Sequence, residues 1–95
     1  MSAYVIVQVT VTDPTKYDEY KTLAAAAVDK HGGKYIVRGG DAEDLEGKRP
    51  HARLVVLEFP SYDQAKTWYH SAEYQKAKAA RAGAGTGVFT VVQGV

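Results

Sequence analysis

The chain has 95 residues, a net charge of +1 and no cysteine, which fits one domain spanning residues 1–95 and excludes disulfides, thiolate nucleophiles and Cys-ligated zinc. Its twelve Lys and Arg are scattered rather than gathered into a stripe, which argues against a nucleic-acid partner. With 45% apolar and 11% aromatic residues the sequence excludes disorder, yet a chain this short buries a smaller fraction of its surface than a larger one, so a partner subunit would help.

From Ala3 to Val11 β-branched residues dominate, with Val5, Val7, Val9 and Val11 on one face and Tyr4, Ile6, Gln8 and Thr10 on the other, which predicts a strand. Asp13 followed by Pro14 is an N-cap with proline at the first helical position, and Tyr17, Tyr20, Ala24, Ala27 and Val28 recur at helical spacing up to His31-Gly32-Gly33, where glycine can take the left-handed cap conformation. Lys34 to Arg38 is the second predicted strand and Arg53 to Phe59 the third, separated by an acidic loop. Ser61 with Gln64 is a capping box that starts a second helix, carrying Ala65, Trp68 and Tyr69 inward. Ser71 repeats the capping signal, so a break is expected there, followed by a short helix with Tyr74 and Ala77 that ends near Arg81. Gly83 to Gly87 reads as a flexible connection into a last strand, Val88 to Gln93.

The order βαββαβ folds most simply into a four-stranded antiparallel sheet with its helices on one face, an α+β, ferredoxin-like arrangement. Both faces of the first and third strands are largely apolar, whereas a sheet wetted on one side should alternate. A second sheet therefore covers the bare face, and a homodimer packed sheet to sheet is the economical solution.

This topology gathers Asp13, Tyr17, Arg38, Gly39, Arg53 and Arg81 at one end, and His31, Glu58 and Ser61 at the other. Arg38 and Arg53 flank the long loop, and two arginines with free glycine amides could hold a carboxylate or phosphate. The blander reading is that the loop's own Asp41, Glu43, Asp44 and Glu46 neutralise them, and that Gly39-Gly40 is simply a turn. Glu58, between Leu57 and Phe59, is either desolvated, with its pKa raised toward the range of a general base, or paired with a lysine or arginine. Trp68 reads as core before ligand stacker. His70 and Ser71 are adjacent on a helix and point apart, and His31, His51 and His70 have no two-ligand spacing, so no metal and no cofactor are expected. The GAGTG run follows a helix and precedes a strand, the reverse of the order that cradles phosphates.

Asp13-Pro14 with Tyr17 and Tyr20, Arg38-Gly39-Gly40, Glu46-Gly47, Arg53-Leu54-Val55, Glu58-Phe59-Pro60, and Trp68-Tyr69 with Ser71 and Tyr74 together resemble the bacterial domain of unknown function 1330, in order and over nearly the whole chain. Two departures are Lys48-Arg49, where an aromatic often follows the family's Glu-Gly, and Ser71-Ala72 in place of Ser-Pro. The resemblance implies a dimeric α/β barrel of ferredoxin-like subunits, with no established activity. The wider superfamily includes cofactor-independent monooxygenases and isomerases with pockets between sheet and helices. By that implication an enzyme would use Glu58 as proton acceptor, Arg38 as anion anchor, and Trp68 and Tyr69 as walls, whereas a binding protein would use Arg38, Gly39, Arg53, Tyr17, Trp68 and Tyr69 for a small anionic ligand. A non-catalytic structural module is the rival. No apolar run approaches the roughly 20 residues of a membrane span, and MSAYVIV begins as a strand without a basic leader, so the expected location is cytoplasmic, with no membrane partner.

Overall fold

The computed structural model describes residues 1–95. Its elements run β1 (Ala3–Val11), α1 (Pro14–Lys30), β2 (Lys34–Arg38), β3 (Arg53–Phe59), α2 (Tyr62–His70), α3 (Ala72–Arg81) and β4 (Gly85–Gln93). The four strands form one antiparallel sheet in the order β2-β3-β1-β4, the ferredoxin-like topology that the sequence predicts. No helix is long and apolar enough to cross a membrane.

Local signals explain the boundaries. The Lys16 amide donates to Asp13 Oδ1 at the start of α1, and Gly32, just past its end, has φ +76°, a conformation open to glycine without penalty. The Gln64 amide donates to Ser61 Oγ, but the other half of the expected capping box is redirected: Gln64 Nε2 donates to the His31 carbonyl at 2.7 Å, tying α2 to the end of α1. At the break Ser71 Oγ accepts from the Tyr74 amide and donates to the Trp68 carbonyl at 2.6 Å. One hydroxyl thus closes α2 and opens α3, which leaves Ser71 unsuited to be a nucleophile for His70.

The last strand begins three residues before the predicted start, so the glycine run is not a loose connection. Gly85 and Gly87 pair with Val11 and Val9 of β1, and a Cβ at either would lie 2.7 Å from a β1 carbonyl, that of Thr10 or Gln8. The glycines are there because the neighbouring backbone comes that close.

The core lies between sheet and helices. Val5, Val7, Val9, Val55, Leu57 and Phe59 meet Tyr17, Tyr20, Ala24 and Val28 of α1, Ala65 and Trp68 of α2, and Tyr74 and Ala77 of α3. Trp68, Tyr74 and Phe59 are its largest fully buried side chains. The molecule is 17 Å thick along its shortest axis, enough for one sheet and one helix layer. The sheet's second face is therefore uncovered in the single chain. That face carries Ile6, Val37, Val88 and Val92, each 38–44% exposed, together with Leu54 and Val56.

Glu73 anchors α3 to the end of α1 through Lys30 Nζ at 3.1 Å and His31 Nε2 at 3.0 Å. Those hydrogen bonds, His31's first, pull its pKa from the ordinary 4.5 down to about 2. A carboxyl that binds its proton less readily when folded stabilises the fold above pH 4.5 and loses that contribution as pH falls toward 2. Glu73→Gln should therefore flatten this part of the pH profile: between pH 5 and pH 2 its thermal midpoint should fall less than that of the unmodified protein, and parallel profiles would refute the assignment.

Candidate functional site

Four elements bring cationic and phenolic groups to one end of the layer between sheet and helices. Tyr17 comes from the first turns of α1, Arg38 ends β2, Arg53 begins β3 and Arg81 ends α3. Tyr17, Lys21, Arg38 and Arg53 line a pocket completed by Val7, Tyr20, Ala24, Tyr35, Val55, Leu57, Trp68 and Phe89, with free room of about 30 Å³; Lys21 is paired with Asp18 of its own helix. Arg81 stacks on two of its walls, 4.6 Å from the Phe89 ring centroid and 5.5 Å from that of Tyr20.

Strict alternation along β2 would put Tyr35 and Arg38 on opposite faces of the sheet. An irregularity between Tyr35 and Val37 prevents this: Tyr35 pairs with Leu57 and Arg38 with Val55, both on the helix side, while Val37 pairs with Val56 on the open side. The extra residue in β2, Ile36, turns Arg38 back into the pocket, where its guanidinium carbon lies 4.2 Å from the Tyr35 ring centroid.

The loop acids do not neutralise these arginines, contrary to the more economical expectation. Of the four, only Asp44 is in an ion pair, and its partner is Arg49, which also donates to the Ala52 carbonyl. None of the protein's five ion pairs contains Arg38, Arg53 or Arg81. Arg53 Nε, Arg81 Nη1 and Trp68 Nε1 are buried without any hydrogen-bond partner. Since buried donors normally find acceptors, three orphaned N–H groups around one pocket are an unusual concentration.

One of the two glycine amides requires a correction as well. The Gly39 N–H donates to the Leu54 carbonyl at 2.8 Å and is not free to hold an anion. Gly39 has a different use: its φ is +70°, and a Cβ there would collide with Arg53 Nη1. Glycine thus leaves room for the Arg53 guanidinium.

Burial pushes the phenol pKa of Tyr17 up, and the positive charges of Arg53 and Arg81 pull it partly back. Burial likewise raises Tyr35, Tyr74 and Tyr20, the last strongly and with the adjacent Tyr74 adding to the effect. The Tyr20 and Tyr74 hydroxyls are hydrogen-bonded at 3.1 Å. All four phenols are neutral at physiological pH and offer hydroxyl groups, not phenolates.

A second concavity runs between α2 and β4. It has about 290 Å³ of free room, is lined by Lys66, Tyr69, His70, Thr90 and Val91, and shares Trp68 and Phe89 with the arginine pocket. Phe89 was not singled out from the sequence. Its only signal there is the alternation of Phe89 and Val91 along β4, which predicts burial against β1 and nothing more.

Glu58 lies elsewhere. Tyr4 and Lys34 flank it in the strand pairing, and together they occupy the open face of the sheet, opposite the arginine pocket. Lys34 Nζ is 3.1 Å from Glu58 Oε1, and the Tyr4 hydroxyl donates to Oε2 at 3.3 Å. The hydrogen bond from Lys34 lowers the carboxyl pKa, outweighing desolvation. This is the opposite of the raised value a general base would want, and the sheet lies between this carboxylate and Arg38. Of the residues singled out for a ligand, Tyr17, Arg38, Arg53 and Trp68 line the first pocket, Tyr69 lines the second, and Gly39 packs behind Arg53.

Over residues 2–95 the sequence matches the family described as Domain of unknown function (DUF1330). The chain belongs to this family. No curated protein matches it. Among solved structures it is similar to the RPA0582 protein of unknown function from Rhodopseudomonas palustris, at 15% identity and a TM-score of 0.77, covering 99% of this chain and 82% of that one. It is also similar to SnoaB, a cofactor-independent oxygenase from Streptomyces nogalater, at 12% identity and a TM-score of 0.67 over 99% and 93% of the two chains. A dimeric protein of unknown function with a ferredoxin-like fold from Bacteroides fragilis NCTC 9343 matches at 13% identity and a TM-score of 0.66 over 98% and 96%. At these identities the likeness shows the fold, which this DUF1330 member shares, and leaves the chemistry to its own residues.

Proposed function

We propose that this DUF1330 protein binds a small anionic molecule between sheet and helices, and that it does so as a cytoplasmic homodimer whose open sheet faces pack together. The observation that carries the binding reading is the convergence of Arg38, Arg53 and Arg81 beside the Tyr17 hydroxyl without a single carboxylate partner. Unpaired guanidinium groups set against aromatic walls attract a carboxylate or phosphate strongly, because charge-assisted hydrogen bonds gain strength as water is excluded. The dimer is supported by the apolar open face and by the dimeric relative of the same fold.

The test is calorimetric titration with small carboxylates and inorganic phosphate, compared with Arg38→Ala. Removing one charge-assisted bond of about 1.5–3 kcal/mol should weaken anion binding roughly tenfold or more. Arg38 is exposed and stacks only on Tyr35, so without ligand the variant should lose at most the ~0.5–1 kcal/mol of an exposed cation–π contact. A large loss of stability with unchanged binding would make Arg38 a structural residue.

A second reading is enzymatic, favoured by the likeness to a cofactor-independent oxygenase. In it Glu58 would accept a proton from a substrate held between the paired sheets, not from one in the arginine pocket. The lowered pKa and the bond to Lys34 weigh against Glu58 as a base. Turnover abolished by Glu58→Gln, with anion binding intact, would favour this reading over simple binding.

A further inference from the structure

We infer that the arginine pocket and the groove between α2 and β4 are two ends of one site for an aryl carboxylate, with the ring of Phe89 closing the passage between them in this structure. The inference rests on the anion-binding reading above and adds the ligand's class and its path.

Neither concavity makes a complete site alone. The arginine pocket has about 30 Å³ of free room, whereas small-molecule pockets run to roughly 300–1,000 Å³. The groove has about 290 Å³, but none of the three arginines lines it. Trp68 and Phe89 line both, so the wall between the charged end and the roomy end consists of these two rings.

Trp68 is 1% exposed, and its indole N–H has no acceptor. A buried tryptophan usually finds one, and a donor left over in this wall suits a ligand group lying across it. Phe89 is the movable member. It is only partly buried and stands on β4, the edge strand of the sheet, while Arg81 stacks on its ring. Turning Phe89 aside would join the two spaces and uncover the Arg81 guanidinium in the same movement.

The chemistry of the ends selects the ligand. At the closed end Lys21, Arg38, Arg53 and the neutral Tyr17 hydroxyl line the pocket and Arg81 stacks on its walls, so the donors there are side chains. A flat carboxylate matches guanidinium forks in so small a space, whereas phosphate is bulkier and tetrahedral. Trp68, Tyr69 and the displaced Phe89 present faces and edges for a ring.

The test titrates the full chain with acetate, benzoate, 3-phenylpropionate and inorganic phosphate, following binding by calorimetry and by NMR shifts. The expected result is that 3-phenylpropionate binds at least tenfold more tightly than acetate. Phe89→Ala should tighten it several-fold or speed its association, by a larger factor than it changes acetate binding, since it both opens the passage and uncovers Arg81. Trp68→Phe keeps a ring but narrows the wall against which the aryl group would pack, and should weaken 3-phenylpropionate more than acetate. If Phe89→Ala melts too low to titrate, Phe89→Leu gives the same comparison. Aryl acids binding no better than acetate, or indifferent to both substitutions, would overturn the joined site while leaving the anion pocket standing. Phosphate binding most tightly would overturn the carboxylate class. If no anion binds at all, the anion-binding reading falls too.

Discussion

Trp68→Ala is expected to lower the thermal midpoint by about 20 °C, more than any other single truncation in this chain. The ring is among the core's largest fully buried side chains and lies 4.5 Å from Tyr74, 5.2 Å from Phe59 and 6.1 Å from Tyr69, centroid to centroid. It therefore holds α2 against both α3 and β3. Truncating a buried tryptophan typically costs about 3–5 kcal/mol, the lost transfer energy plus the cavity left behind. A domain of this size has a total stability of only about 5–15 kcal/mol, and each kcal/mol shifts its melting by about 4–8 °C. A loss under about 5 °C in a circular-dichroism melt would mean that α2 does not depend on this packing. Trp68→Phe should retain most of the stability, which is why it can serve in the binding comparison.

The fold was legible because its signals are local and agree with one another. Asp13-Pro14, Gly32 and the serines Ser61 and Ser71 each act within three or four residues of themselves, so periodicity and caps were enough to find both the helices and the break between α2 and α3. The β4 boundary escaped because Gly85 and Gly87 read as flexibility in isolation. They are glycine because of a neighbour 75 or more residues earlier in the chain, which no local window contains.

The candidate site was less legible, and for a related reason. Alternation along β3 separates Arg53 from Glu58 without any structure, since an odd interval of five residues puts them on opposite faces. The same rule fails for β2, where the irregularity at Ile36 brings Tyr35 and Arg38 to one face. Likewise, the abundance of Asp and Glu in the loop suggested neutralised arginines, but composition does not say where a loop folds. Asp44 turns to Arg49, and His51 shares a 2.8 Å hydrogen bond with Thr10 Oγ1 on β1. The loop's acids leave the strand-end arginines to the pocket.

Val56→Asp is expected to convert the proposed dimer into a monomer while leaving the arginine pocket able to bind. Val56 stands on the open face in β3, an interior strand of the sheet, paired across to Ile6 of β1 and Val37 of β2. If two sheets meet there about a twofold axis, one substitution introduces two carboxylates into the same interface. Each buried, unpaired ion costs several kcal/mol, so together they should oppose association by about 5 kcal/mol or more, a rise in Kd beyond about a thousandfold. Sedimentation at micromolar concentration would show the change directly. The substitution points away from the helices, so the core around Trp68 should be disturbed only indirectly, through loss of the partner. That separates two explanations of the apolar face. A face that is simply tolerated in water would accept an aspartate with no change of mass, since adding a charge to a wetted surface usually alters stability by less than about 0.5 kcal/mol. A monomer before and after the substitution would remove the dimer, and with it any role for Glu58 between paired sheets, without touching the arginine pocket on the other side.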